Sequence, residues 1–176
     1  QAALKTGETS VIFGLGPIGL LIVDALRSAG ASKIYAVELS PERQAKAEEL
    51  GAIVVRPEEG ETIVEAIHRL TGGGADVSYE VTGVPVVLGQ ALAAVHKAGE
   101  CMVVSIWERE ASINPNEFAI QEKSLKGIIA YRHIFPKVLE LMEQGYFSAE
   151  KLVTKKIKLE NIVEEGFVEL TQDKSK

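Results

Sequence analysis

Three glycines set at the spacing Gly14-x-Gly16-x-x-Gly19, directly after the apolar run Val11-Ile12-Phe13, are the residues most able to do chemistry in this chain. Gly14 permits a tight turn from strand to helix, Gly16 lets the backbone come close to a phosphate, and Gly19 lets the helix pack on its strand. Pro17 suits a first helical turn, where a missing N–H costs little. The amides of that turn, including those of Ile18 and Gly19, then face outward at the positive end of the helix dipole, a cradle for the pyrophosphate of a dinucleotide.

The elements that would hold this turn are legible around it. Ile18, Leu21, Ile22, Ala25 and Ala29 recur at helical spacing up to a stop at Gly30, and Lys33 to Val37 then reads as a second strand, completing a β-α-β unit. Glu38 follows that strand, 19 residues beyond Gly19, close to the roughly 20 at which such units place the acid that binds the adenosine ribose. A carboxylate there accepts from both ribose hydroxyls and repels a 2′-phosphate, and the next residue, Leu39, is not the arginine that would welcome one, so NAD is expected over NADP. The plainer alternative for Glu38 is a solvated acid. Arg43, in the first turn of a helix opened by Ser40-Pro41-Glu42, could cover the adenine or reach the ribose, or be a surface arginine beside Glu42.

The remaining chain repeats the alternation. Short strands are expected at 53–55, 77–80, 101–105 and 125–129, with helices at 61–71 and 85–95; Gly72-Gly73-Gly74 reads as a helix stop and loop. Apolar strands alternating with helices predict an α/β fold with a doubly wound parallel sheet of about six strands and helices on both faces, the Rossmann fold. Ligands in such sheets lie beyond the carboxyl ends of the strands. That rule brings in Glu80-Val81-Thr82-Gly83 and Ser105-Ile106-Trp107, with Val81 and Ile106 able to wall a ring and Thr82 alternatively capping a helix. Trp107 is expected to half-bury at the surface or at a subunit contact.

Composition narrows the function classes. An apolar share of 46% with 25% charged residues fits one soluble domain, the formal charge of −6 argues against a general nucleic-acid partner, and no apolar run or leader pattern suggests a membrane. A single cysteine, Cys101, makes a reducing cytoplasm the simplest compartment. No metal, Tyr/Lys or His/Arg arrangement for polarising an alcohol is evident. His68, His96 and His133 read as exposed or half-buried helix residues, and Cys101 as core packing.

Thr9 to Gly19, Tyr35 to Arg43 and Gly74 to Gly83 together resemble the cofactor domain of zinc-dependent medium-chain alcohol dehydrogenases, and the run from Ile113-Asn114-Pro115 to Phe135-Pro136 resembles the butanediol and polyol dehydrogenase branch. The resemblance implies a two-domain enzyme whose GroES-like catalytic domain carries the zinc ligands. It implies pyrophosphate at Gly14, Gly16 and Gly19, ribose at Glu38, adenosine near Arg43, and nicotinamide against the backbone of Val104, Ser105 and Ile106 and of Ile128 to Ala130. Ser105 stands where many relatives carry glycine, which is expected to narrow the space above the ring.

A fragment is therefore expected: residues 1–150 as the NAD-binding domain, and 151–176 as a segment returning toward an absent catalytic domain, with a strand over Lys151 to Leu159 and a helix over Asn161 to Thr171. Phe167 on that helix would either lack cover or pack on the sheet. A homodimer joined at the sheet edge near residues 111–114 is expected. Two other classes share the glycine turn and the acid: a stand-alone NAD-sensing regulatory domain and an S-adenosylmethionine-dependent methyltransferase.

Overall fold

The computed structural model describes residues 2–147 and 149–172. Six strands form one sheet: β1 (Thr9–Phe13), β2 (Lys33–Val37), β3 (Ile53–Val54), β4 (Ala75–Glu80), β5 (Val95–Val103) and β6 (Ser124–Gly127). All neighbours are parallel, in the order β3-β2-β1-β4-β5-β6. The order reverses between β1 and β4, so the crevice beyond their carboxyl ends is the switch point at which such sheets take ligands.

Helices cover both faces, and the pleat decides which residues meet them. Along β1 the side chains alternate, so Ile12 packs with Val23 and Leu26 of α1 (Pro17–Ser28) and Ala47 of α2 (Pro41–Glu49). Val11 and Phe13 point the other way, toward Ala66 and Ile67 of α3 (Ile63–Thr71) and Ala91 and Leu92 of α4 (Pro85–Ala93). The local signals fall where the physics puts them. Thr62 and Glu65 form a reciprocal cap at the start of α3, and Gly72, at a φ of 78°, ends it in the left-handed conformation that the glycine triplet predicts.

Several boundaries differ from expectation. Strand β5 starts at Val95 rather than Cys101 and stops at Val103, before Ser105. Its early half is His96-Lys97-Ala98-Gly99, polar residues with Ala98 at a φ of 64°, and the pairing with β4 slips there by a bulge. A bulge hides the alternation that marks a strand. Likewise β6 ends at Gly127, leaving Ile128 and Ile129 in the following loop.

Beyond α5 (Asn116–Ala119) and α6 (Phe135–Glu143) the expected strand over Lys151 to Leu159 is absent. Instead α7 (Ala149–Leu152) is followed by residues 153–158 without regular structure, outside the six-stranded sheet. The expected last helix is broken into a 3-10 turn (Leu159–Asn161), a π-helical stretch (Ile162–Val168) and α8 (Glu169–Gln172). Phe167 is 61% exposed, so it does not pack on the sheet. No helix among the described residues is long and apolar enough to cross a membrane.

Candidate functional site

The turn between β1 and α1 separates its glycines by role. Gly14 sits at a φ of 94°, and a Cβ there would come 2.7 Å from the Thr82 methyl. At Gly19 a Cβ would stand 2.0 Å from the Gly14 carbonyl oxygen, so the helix can lie on the turn only with glycine. Gly16 differs from both. Its φ is −63°, nothing lies within 4 Å of where its Cβ would be, and no side chain caps α1. The fold does not require glycine at this position; a ligand approaching the bare end of α1 would.

Glu38 closes the neighbouring strand. Its Oε2 accepts from the Leu15 amide at 2.8 Å, and its Oε1 from the Leu39 amide at 2.7 Å and the Ser40 amide at 3.0 Å. The side chain is only 11% exposed, which sets aside the solvated-acid alternative. Arg43 lies 3.9 Å away with 26% of its side chain exposed, oriented to Glu38 by the turn of α2 that Ser40 caps. The exposed side chain of Leu39 stands at the mouth.

A cavity of about 530 Å³ joins these groups: Gly14, Gly16, Glu38, Leu39, Arg43, Val81 and Thr82 all line it, as does Val37. Pro17 lines an adjoining hollow with Leu20 and Leu152, which shares Gly16 and Arg43 with the first, while Ile18 and Gly19 remain in the first turn of α1. The positions expected to meet nicotinamide are not in the first cavity. Ile128 and Ala130 line another hollow of about 410 Å³ with Ile22, Tyr79 and Met102, and Ala130 holds a left-handed φ of 48°. Between them, Val104, Ser105 and the exposed Ile106 follow β5, with the Val104 amide bonded to the Glu80 carbonyl at 2.9 Å. Trp107 is half-buried.

One residue that ties these loops together was placed beside the cleft by the sequence, but without a role. Glu80 is wholly buried at the end of β4; its carboxylate accepts from the Thr82 amide at 2.8 Å, from the Gly83 amide at 3.1 Å, and from the hydroxyls of Thr82 and Ser105. Thr82 is accordingly not the cap of α4, a place Val84 takes. The Ser105 hydroxyl is engaged with Glu80. The available signal was an acid closing an apolar strand just before Thr-Gly.

The histidines stay apart from this cleft. His68 bonds the Ala93 carbonyl, and His133 lies in a loop rather than a helix. His96 is in β5, with its Nε2 3.1 Å from Asp76 and its Nδ1 against the Lys97 carbonyl. Partial burial works against a charged ring, but the Lys97 carbonyl and Asp76 outweigh it and raise its pKa. Burial pushes the Cys101 thiol up to about 11 and the Tyr79 hydroxyl to about 12, the latter helped by Glu100, so neither ionises near neutrality. Among the described residues no cluster of three metal-ligating side chains exists, so zinc finds no fitting site among them.

A family model described as zinc-binding dehydrogenase matches residues 17–144. The chain belongs to the zinc-binding dehydrogenase family. Within it, the chain is 60% identical over 99% of its length to (R,R)-butanediol dehydrogenase of Bacillus subtilis (strain 168), of which it covers 51%, and 33% identical over 91% of its length to sorbitol dehydrogenase of the same strain, of which it covers 46%. The crystal structure of 2R,3R-butanediol dehydrogenase from Bacillus subtilis superposes with a TM-score of 0.94 at 59% identity, covering 99% of this chain and 50% of that one. A zinc-binding dehydrogenase from Sinorhizobium meliloti 1021, solved bound to NADP, superposes at 0.80 with 25% identity, covering 86% and 46%. The chain spans about half the length of the curated relatives it matches.

Proposed function

We propose that this chain is the NAD-binding half of an oxidoreductase that passes a hydride between a secondary alcohol or diol and nicotinamide. The observation that carries the reading is the pairing of an uncapped helix start at Gly16, where the fold itself asks for no glycine, with the largely buried carboxylate of Glu38 in the same cavity. The amides of α1 suit a pyrophosphate, and Glu38 suits a ribose while opposing a 2′-phosphate.

The site residues divide along the sheet. Gly14, Gly16, Pro17, Ile18 and Gly19 hold the pyrophosphate; Glu38, Leu39, Arg43, Val81 and Thr82 surround the adenosine; Val104, Ser105, Ile106, Ile128 and Ala130 meet the nicotinamide. Zinc, when bound, polarises the alcohol oxygen, and its ligands and the alcohol belong to the part of the relatives that this chain does not span. In this reading residues 1–150 form the cofactor domain and 151–176 return toward the catalytic one. The 60% identity to a butanediol dehydrogenase favours a vicinal diol as the substrate of the whole enzyme.

A homodimer through the sheet edge near residues 111–114 is part of this reading, supported by β6 ending the sheet on one side, and the buried lone thiol of Cys101 suits a reducing cytoplasm. Calorimetry tests the core of the reading. NAD should bind this chain at one site more tightly than NADP or S-adenosylmethionine, and no alcohol should turn over. Glu38→Ala should weaken NAD by about tenfold and bring NADP level with it, a loss of the size of one or two charge-assisted hydrogen bonds. Equal affinities in the unaltered chain would overturn the assignment.

A further inference from the structure

Glu80 carries more charge than its structural task needs. The carboxylate has no exposed surface, and its partners are all neutral: the amides of Thr82 and Gly83 and the hydroxyls of Thr82 and Ser105. The amides can only donate, and the Thr82 hydroxyl already accepts from the Val84 amide at 3.1 Å, which leaves its proton for Glu80. This donor set suits a carboxylate anion.

The lysines on the adjoining chain are taken elsewhere. Lys123 bonds the Leu92 carbonyl and Glu117, and Lys126 pairs with Glu100 at 2.8 Å. Burying a charge without a cation is costly, and two loops could be tied together by a neutral amide at a lower cost. Location suggests what the charge is for. The carboxylate accepts from the Ser105 hydroxyl and the Glu80 carbonyl accepts from the Val104 amide, so the charge lies directly behind the 104–106 loop assigned above to nicotinamide.

We propose that Glu80 determines which oxidation state of the cofactor this site prefers, its buried carboxylate favouring the cationic pyridinium ring of NAD⁺ over the uncharged dihydropyridine ring of NADH. The inference rests on the cofactor reading above. It concerns a difference between two ligands that share every other contact, because the adenosine, ribose and pyrophosphate portions are common to both.

Dissociation constants of the 176-residue chain for NAD⁺, NADH and ADP-ribose, measured for the unaltered protein and for Glu80→Gln and Glu80→Asp, test it. The glutamine variant keeps the shape, since its carbonyl can accept from the loop amides and its NH₂ can donate to Ser105, but it removes the charge. It should lower the preference for NAD⁺ relative to NADH by about three- to tenfold, the scale of one partly screened charge pair, and leave ADP-ribose unaffected. The aspartate variant keeps the charge and loses reach, so its NAD⁺ to NADH ratio should stay near that of the unaltered chain. An unchanged ratio in Glu80→Gln overturns the proposal, whether both affinities hold or fall together. If thermal melting shows that Glu80→Gln does not fold, a ratio that collapses in Glu80→Asp overturns it instead. Absence of ADP-ribose binding in the unaltered chain would defeat the cofactor reading itself, a separate result.

Discussion

The chain from Ser10 to Met102 and the chain after it are built differently. Every buried residue described lies in the first stretch, where two helices cover each face of the sheet around β1. After Met102 no described residue is buried, and Ile106, Ile129, Tyr131, Phe135, Phe167 and Leu170 all stand more than half exposed. The first stretch exposes apolar side chains too, Leu39 and Val86 among them, but beneath them it has a core that the later stretch lacks. Under the function proposed above, the first stretch is the coenzyme platform with its own core, and the second is the side facing the catalytic part of the enzyme.

Substitution of one phenylalanine in each part should break or sharpen this contrast most strongly. Phe13→Ala empties a fully buried site between two helices and should cost about 3–5 kcal/mol of unfolding free energy, whereas Phe167→Ala should change it by less than about 0.5 kcal/mol. Urea melts of the two variants check this; similar losses would mean that the second part folds into the same cooperative unit.

The glycine turn offers a finer contrast. Gly19→Ala drives a Cβ into the Gly14 carbonyl and should cost about 3 kcal/mol together with cofactor affinity. Gly16→Ala meets no atom of the protein, so its melting curve should move by less than about 0.5 kcal/mol while NAD binding falls about tenfold or more. Paired melting and calorimetry separate a glycine kept for folding from one kept for a ligand.

The smallest effect lies at the opposite end of the sheet. Asp76 is lowered, its burial being outweighed by bonds from Thr9 and His96, and His96 is raised. The contribution of Asp76 is present above its unfolded value near 4 and is lost as pH falls through the folded one; that of His96 is present below about 6.5 and is lost as pH rises through its folded value. The pair should therefore support β4 and β5 most between about pH 4 and 6.5. His96 is 41% exposed, so the gain is well under 1 kcal/mol. The difference in melting temperature between the unaltered chain and His96→Gln, followed from pH 5 to 8, should shrink with rising pH; a constant difference would count against the pair.

Much of the platform was legible because its signals are local. The turn glycines, Ser40 at the opening of α2, and the β2 boundaries each follow from neighbouring residues alone, and a parallel sheet covered on both faces follows from the alternation they impose, whereas the cap at Thr62 and the strand order came only with the structure. What escaped depends on distant partners. The first half of β5 is a strand only because β4 lies beside its bulge, and the tail from Lys151 pairs with no strand of the sheet among the described residues, its neighbours there being helical segments. The sequence put Glu80 at the end of a strand beside the cleft, but not its bond from the hydroxyl of Ser105, 25 residues away. At Glu38 the spacing located the acid, but only the fold revealed the three amides that already occupy it.

Those three amides bear on how a nucleoside would be told apart here. A carboxylate offers about four acceptor directions, and most of them are used before any sugar arrives. A ribose would therefore find about one direction still open and would otherwise trade places with hydrogen bonds that exist, so the enthalpy released on contact should be modest. Choice at such a clamp comes mainly from what it turns away: a rigid, prearranged anion rejects a second phosphate while rewarding the hydroxyl it accepts only moderately.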